Sequence, residues 1–246
     1  MTILDHRDKV QTGDVLIFSG NTASAFLVKM FTSSEYNHVG VGIWLDSNNR
    51  ISFFEEDKEE NYELYVMEIN VFERYDILTK KCVKGFALTR FSDLVKFYNR
   101  VNVRNVDPKY RPKKYHKKVK KFIQEHMGVQ YCSNLGPIMS VWIGCPFTGL
   151  TPKDNEMFCC EIVVKFYIEI FSRFPVETKP AALYRPEDFV TIHDKSIFMN
   201  AEYPVYIDYA DYSVALILPL IVGVFFAVFV SMMLPRQNNL SRIKNY

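Results

Sequence analysis

From Tyr212 to Leu234 the chain runs 23 residues without an Asp, Glu, Lys or Arg. A soluble helix of that length would carry a polar face, and this run has none. It is long enough to cross a bilayer core of about 30 Å, and membrane helices tolerate residues such as Pro219 and Gly223. The expectation is one C-terminal transmembrane helix over 212–234, with membrane lipids as its partner. Residues 235–246 then form a short basic tail and 201–211 a juxtamembrane linker. That leaves 1–200 for a globular domain, and the 48% hydrophobic content of the chain excludes wholesale disorder.

Two signals bear on orientation and they conflict. Arg236, Arg242 and Lys244 follow the span while Asp208 and Asp211 precede it, which favours a cytosolic tail. Against this, residues 1–9 hold no apolar stretch of the kind a cleaved signal peptide needs, so nothing is expected to translocate the large domain. The tail-anchor reading follows, with a single-pass anchor and the domain in the cytosol. Five cysteines, an odd number with Cys159 and Cys160 adjacent, do not resemble a secreted disulfide framework.

The first half of the domain reads as strands and the second as helices. Val15–Phe18, Val39–Leu45, Ile51–Glu55, Tyr65–Asn70 and Phe86–Thr89 are short, rich in β-branched and aromatic residues, and bounded by turn residues. Ser24–Phe31, Ser92–Tyr98, Lys113–Met127 and Glu161–Phe174 read as helices, the last apolar enough to be the buried one. The fold class is α+β. No internal repeat, phosphate-binding loop, dinucleotide fingerprint or G-x-S-x-G elbow is present.

The chemistry is carried by two segments, Tyr36-Asn37-His38-Val39-Gly40-Val41-Gly42-Ile43 and Phe158-Cys159-Cys160-Glu161-Ile162-Val163-Val164. They supply a base at the mouth of a strand and a thiol at the start of an apolar helix. Helix polarity and a nearby imidazole both favour the thiolate of Cys159. The Cys159 N–H is a candidate oxyanion donor, since first-turn amides lack helical partners. Alternation places His38, Gly40, Gly42 and Trp44 on one face and Val39, Val41, Ile43 and Leu45 on the other. The glycines leave room, expected to be filled by the first turn of the Cys159 helix. If the turn at Asp46-Ser47-Asn48-Asn49 has an even loop, Glu55 meets the His38 face opposite Gly40; an odd loop brings Glu56 instead. Cys160 is expected to point away from the site, and Glu161 to be a first-turn charge. Cys132, Cys145, Cys159 and Cys160 lack the paired spacing of a zinc site, so no metal or cofactor is expected.

Four segments in order resemble the circularly permuted branch of the NlpC/P60 papain-like superfamily. They are Gly13-Asp14 with its apolar followers, Ser34-Glu35-Tyr36-Asn37-His38-Val39-Gly40-Val41, Gly128-Val129-Gln130-Tyr131, and Phe158-Cys159-Cys160-Glu161-Ile162-Val163. The likeness spans roughly Asp5 to His193. It is nearer to amidase-like members from bacteria, protists and poxviruses than to the lecithin-retinol acyltransferase relatives. Those relatives carry a second histidine where this chain has Glu55, and an N-C-x-H-F segment around the nucleophile. The resemblance implies a permuted papain-like fold, an antiparallel sheet packed on helices. It also implies Cys159 as nucleophile, His38 as base, Glu55 as orienting acid, and an acyl-thioester intermediate formed from an unknown amide or acyl substrate. A lipid acyl hydrolase or acyltransferase and an inert membrane-tethered scaffold are the alternatives.

Arg100 to Lys121 holds ten Lys and Arg residues against one acid, Asp107. Tyr115, Val119, Phe122 and Met127 form an apolar stripe through its helical part, so the plain reading is a solvated cationic face over a packed helix. Attraction to anionic headgroups is the functional alternative. With a net charge of only +2, no nucleic-acid partner is expected.

Overall fold

Two strands set the frame of the domain, β1 (Val15–Ser19) and β2 (His38–Leu45), and both are buried along their whole length. Continuous burial requires cover on each side, and the sheet has it. A computed structural model describes residues 7, 9–22, 25, 28–29, 34–46, 48, 51–52, 62–110, 116–134, 136–138, 141, 152–172, 180–191 and 205–206. Its main sheet also holds β3 (Ile51–Ser52), β4 (Glu63–Asp76), β5 (Lys81–Arg90), β6 (Arg100–Arg104) and β9 (Val205–Tyr206). The order is β5-β4-β2-β1-β6-β9, with β3 added to β2, and each of these pairings is antiparallel. A small parallel pair, β7 (Gln130–Tyr131) with β8 (Glu156–Met157), leads into the segment that carries Cys159.

One face of the sheet carries Val39, Val41, Ile43, Met67, Ile69 and Leu88 into a core shared with two helices. These are α2 (His116–His126), through Val119, Phe122 and Ile123, and α3 (Cys159–Phe171), through Ile162, Val163, Phe166 and Tyr167. Each fully buried side chain of this size is worth about 1.5–3 kcal/mol. Burial, not capping, fixes where α3 starts: its N-cap Phe158 makes no side-chain cap. The other face buries Leu16, Phe18, Trp44, Leu64 and Val66 under α1 (Phe91–Leu94) and the 3-10 turn Val95–Phe97 that follows it. A short α4 (Asp188–Thr191) lies near the end of the described domain. The mixed α+β class, an antiparallel sheet packed against helices, agrees with the expectation.

Several details differ from it. β4 and β5 are longer than the segments predicted, and β6 lies inside the cationic stretch, where Val101 and Val103 alternate with Arg100, Asn102 and Arg104. The space beside Gly40 and Gly42 is not filled by the Cys159 helix. A side chain at Gly40 would meet Val66 and Met67 of β4, and one at Gly42 would meet Val10 and Gln11. α3 belongs to the opposite face, with Val39 and Val41.

The β2–β3 loop is odd, residues 46–50, because Leu45 pairs with Ile51 and Trp44 with Ser52. β1 holds the same edge of β2 from Val41 to His38, so a strand continuing straight from β3 cannot stand opposite Gly40 there. Glu55 and Glu56 themselves lie outside the described residues. So do Cys145, Tyr115 and the apolar run 212–234. Among the described residues no helix is long and apolar enough to cross a membrane.

The cationic helix α2 buries Val119, Phe122 and Ile123 and exposes Lys117, Lys118, Lys120 and Lys121, whereas Met127 is exposed just beyond its end. Apart from Met127, this is the solvated face over a packed helix that the stripe predicts.

Candidate active site

The site forms where the start of β2 meets the start of α3. His38 is the first residue of β2 and Cys159 the first of α3, and both are buried. Each favours the charged form of the other and both line one cavity, so the pair separated by more than a hundred residues in sequence is brought together.

The carboxylate on the imidazole is Glu68. Its Oε2 lies 2.6 Å from His38 Nε2, and none of its surface is exposed. With Nε2 on the carboxylate, Nδ1 is the ring nitrogen left for the thiol. The register explains the meeting. β2 and β4 pair Gly42 with Val66 and Val41 with Met67. One step further sets Glu68 opposite Gly40 and on the His38 face, since antiparallel partners share a side. Gly40 allows the approach, for a Cβ there would come within 2.5 Å of Val66 Cγ1 and 2.9 Å of the Met67 carbonyl.

Both oxygens of the Glu68 carboxylate are held by neighbours. Asn70 Nδ2 donates to Glu68 Oε2 at 3.2 Å, and the Thr89 hydroxyl donates to Oε1 at 2.7 Å. Arg74 adds a positive charge 3.9 Å from Oε1, its guanidinium lying 4.1 Å from the centre of the Phe97 ring. Tyr98 stacks parallel to the imidazole, and Phe18 packs against both rings.

Charge follows from this packing. Burial opposes a charge on His38, but the hydrogen bonds to Cys159 and Glu68 outweigh it and raise the imidazolium to about 9. Burial likewise pushes the Glu68 carboxyl up, and His38, Thr89 and Arg74 together bring it below the usual range. Cys159 is held well below an ordinary thiol. The largest cause is the Cys160 thiol, 3.9 Å away sulfur to sulfur; burial opposes, and His38 and the Val39 N–H add to the lowering. Cys160 therefore reaches the Cys159 sulfur, contrary to the expectation that it points away. Cys132 is the reverse case, pushed up to about 11 by burial. Glu161, in the first turn of α3, is buried and pairs with Lys165 at 3.1 Å.

Asn37, His38, Tyr98, Tyr131 and Cys159 line one cavity of about 420 Å³. Its lining includes an apolar, solvent-facing group, Val71, Phe72 and Phe97, each more than 40% exposed. Val71 and Phe72 project there because the β4–β5 register slips between Asn70 and Arg74. Asn70 braces the slip by accepting the Phe72 N–H at 2.9 Å.

Sequence reasoning missed Glu68 although a signal existed. Leu64, Val66, Glu68 and Asn70 share one face of a strand, and an acid in the middle of such an apolar series needs a buried partner. Tyr98 left no comparable trace.

No family model matches the chain, and no curated protein matches it. Among solved structures it is similar to the crystal structure of metalloprotein yiiX from Escherichia coli O157:H7. The TM-score is 0.42 and the identity 16%, over 80% of this chain and 88% of that one.

Proposed function

We propose that the protein is a membrane-anchored papain-like cysteine hydrolase that cleaves amide bonds through Cys159, His38 and Glu68. One observation carries the reading: a thiol and an imidazole line one cavity of substrate size, and the imidazole is bonded to a buried carboxylate at 2.6 Å. The Cys159 thiolate attacks the carbonyl carbon, and the C–N bond breaks as the His38 imidazolium gives its proton to the leaving amine. The neutral imidazole then takes a proton from water, whose oxygen displaces the sulfur and releases the acid. Glu68 holds the ring in the tautomer that both steps need and supports its positive charge. The permuted NlpC/P60 resemblance fits this assignment, and the run 212–234 supplies the anchor, with the domain on the cytosolic side.

Cys159 should be the first thiol alkylated by limiting iodoacetamide near neutral pH, ahead of Cys82 and Cys132. Peptide mapping decides it, and a faster reaction at another cysteine would remove the nucleophile. Turnover in an acyl-amide screen should disappear in Cys159→Ala. Activity should also fall as pH rises through about 9, where the imidazolium loses the proton it must give to the leaving group. A rate still climbing with pH beyond 10 would show that His38 is not the acid.

The exposed apolar lining favours a second reading, an acyl lipid substrate. Val71, Phe72 and Phe97 would lie against the hydrocarbon of a substrate held in the bilayer that the anchor occupies. Hydrolysis of phospholipid vesicles, with amide substrates left intact, would select it.

A further inference from the structure

We infer that the Asn37 side-chain amide is an oxyanion donor of this site, a catalytic role beyond the three residues named so far. The inference rests on the cysteine-hydrolase reading. Asn37 is held at both ends: its N–H donates to the Phe18 carbonyl at 3.0 Å, and its Oδ1 accepts the Gly20 N–H at 2.6 Å. That second bond decides which way the carboxamide is turned. A peptide N–H can meet only the oxygen, so the NH₂ is the opposite edge. Among the described residues that NH₂ has no hydrogen-bond partner, and Asn37 lines the cavity together with Cys159.

Position supplies the direction. Asn37 stands immediately before β2, and its carboxamide oxygen and the Tyr98 ring both border Gly20, in the lining of the cavity that Cys159 shares. The Val39 N–H is near enough to the Cys159 sulfur to favour its thiolate, so the sulfur stands beside the strand two residues on from Asn37. Two residues of strand span about 7 Å, a gap that a carbonyl group bonded to the sulfur bridges with one hydrogen bond. The oxygen of the tetrahedral intermediate then meets a donor already fixed in place, with the first-turn N–H of Cys159 as its companion. A donor that need not reorganise is the kind that lowers a barrier.

The test uses the full chain in detergent micelles with p-nitrophenyl acetate, following release of nitrophenolate, and in parallel the alkylation of Cys159 by iodoacetamide. Alkylation forms no oxyanion. Asn37→Ala should slow acylation about 100-fold while alkylation stays within about twofold. Asn37→Asp keeps the acceptor for the Gly20 N–H and removes the donor, so it should lose acylation too. Acylation at the wild-type rate in Asn37→Asp would overturn the assignment, since that side chain has no NH₂. Equal losses of acylation and alkylation in Asn37→Ala would also overturn it, leaving Asn37 a shaping residue. If the wild type alkylates normally yet is never acylated, the hydrolase reading fails and this inference falls with it.

Discussion

Glu68→Gln is expected to lower turnover by roughly 10²- to 10⁴-fold with the fold retained. Glutamine occupies the same volume, and its oxygen can still accept from His38 and Asn70. Its amide then faces the Thr89 hydroxyl, which can rotate to accept. What disappears is the charge. His38 is buried and burial alone disfavours its cation, so without the carboxylate the imidazolium should lose its proton at lower pH. The descending limb of the rate profile should therefore move below 9. Glu68→Ala is the harsher change, for it leaves Arg74, Thr89, Asn70 and the imidazolium around an empty space, at a cost of about 3–5 kcal/mol. Glu55→Gln should lose less activity than Glu68→Gln. The larger loss at Glu55 would return the orienting role to the 53–61 segment and make Glu68 a structural acid.

The contrast between Glu55 and Glu68 marks where the sequence stops being legible. Local signals were enough for β1, β2 and α3, because each is an apolar run whose burial does not depend on a distant partner's identity. His38 and Cys159 were legible for a related reason: each stands at the end of such a run, in a short segment of recognisable type. The carboxylate is a question of pairing. Glu55 follows the histidine strand by one turn and was the natural candidate if the hairpin continued. The edge it would need is held instead by β1, which precedes the histidine strand in the chain. Glu68 arrives from the next strand, β4, on the opposite edge.

No count of loop residues reveals which strand takes which edge, since that is settled by long-range packing on both faces. β6 was hidden in a different way. Its arginines alternate with valines, and the charge count over Arg100 to Lys121 obscured a strand that adds to β1. Arg104 is buried there and Arg100 pairs with Glu35, so part of the cationic stretch belongs to the fold and is not a docking surface.

Gly85→Ala should be among the most damaging single substitutions in the domain, although Gly85 is far along the chain from both His38 and Cys159. Gly85 has φ +106, a conformation that strains any residue bearing a Cβ. The added carbon would also stand 2.2 Å from the Val129 carbonyl oxygen and 2.8 Å from Gln130 Cα. Backbone cannot swing away as a flexible side chain does, and that same carbonyl accepts the Phe86 N–H at 2.8 Å. Relief requires breaking this bond and displacing β7. β7 pairs with β8, and the Cys132 N–H donates to Met157 just two residues before Cys159. The strain therefore runs into the turn that presents Cys159. Overpacking and the disfavoured φ together should cost about 3 kcal/mol or more, lowering the melting temperature by roughly 10 °C for a domain of this size. Iodoacetamide alkylation of Cys159 should slow as well, because the sulfur leaves the reach of His38 and the Val39 N–H. Thermal unfolding followed by near-ultraviolet circular dichroism checks the first part and peptide mapping the second. A melting temperature within about 2 °C of wild type would mean that β5 and β7 do not meet as closely as described, and the support they give to the start of α3 would have to come from elsewhere.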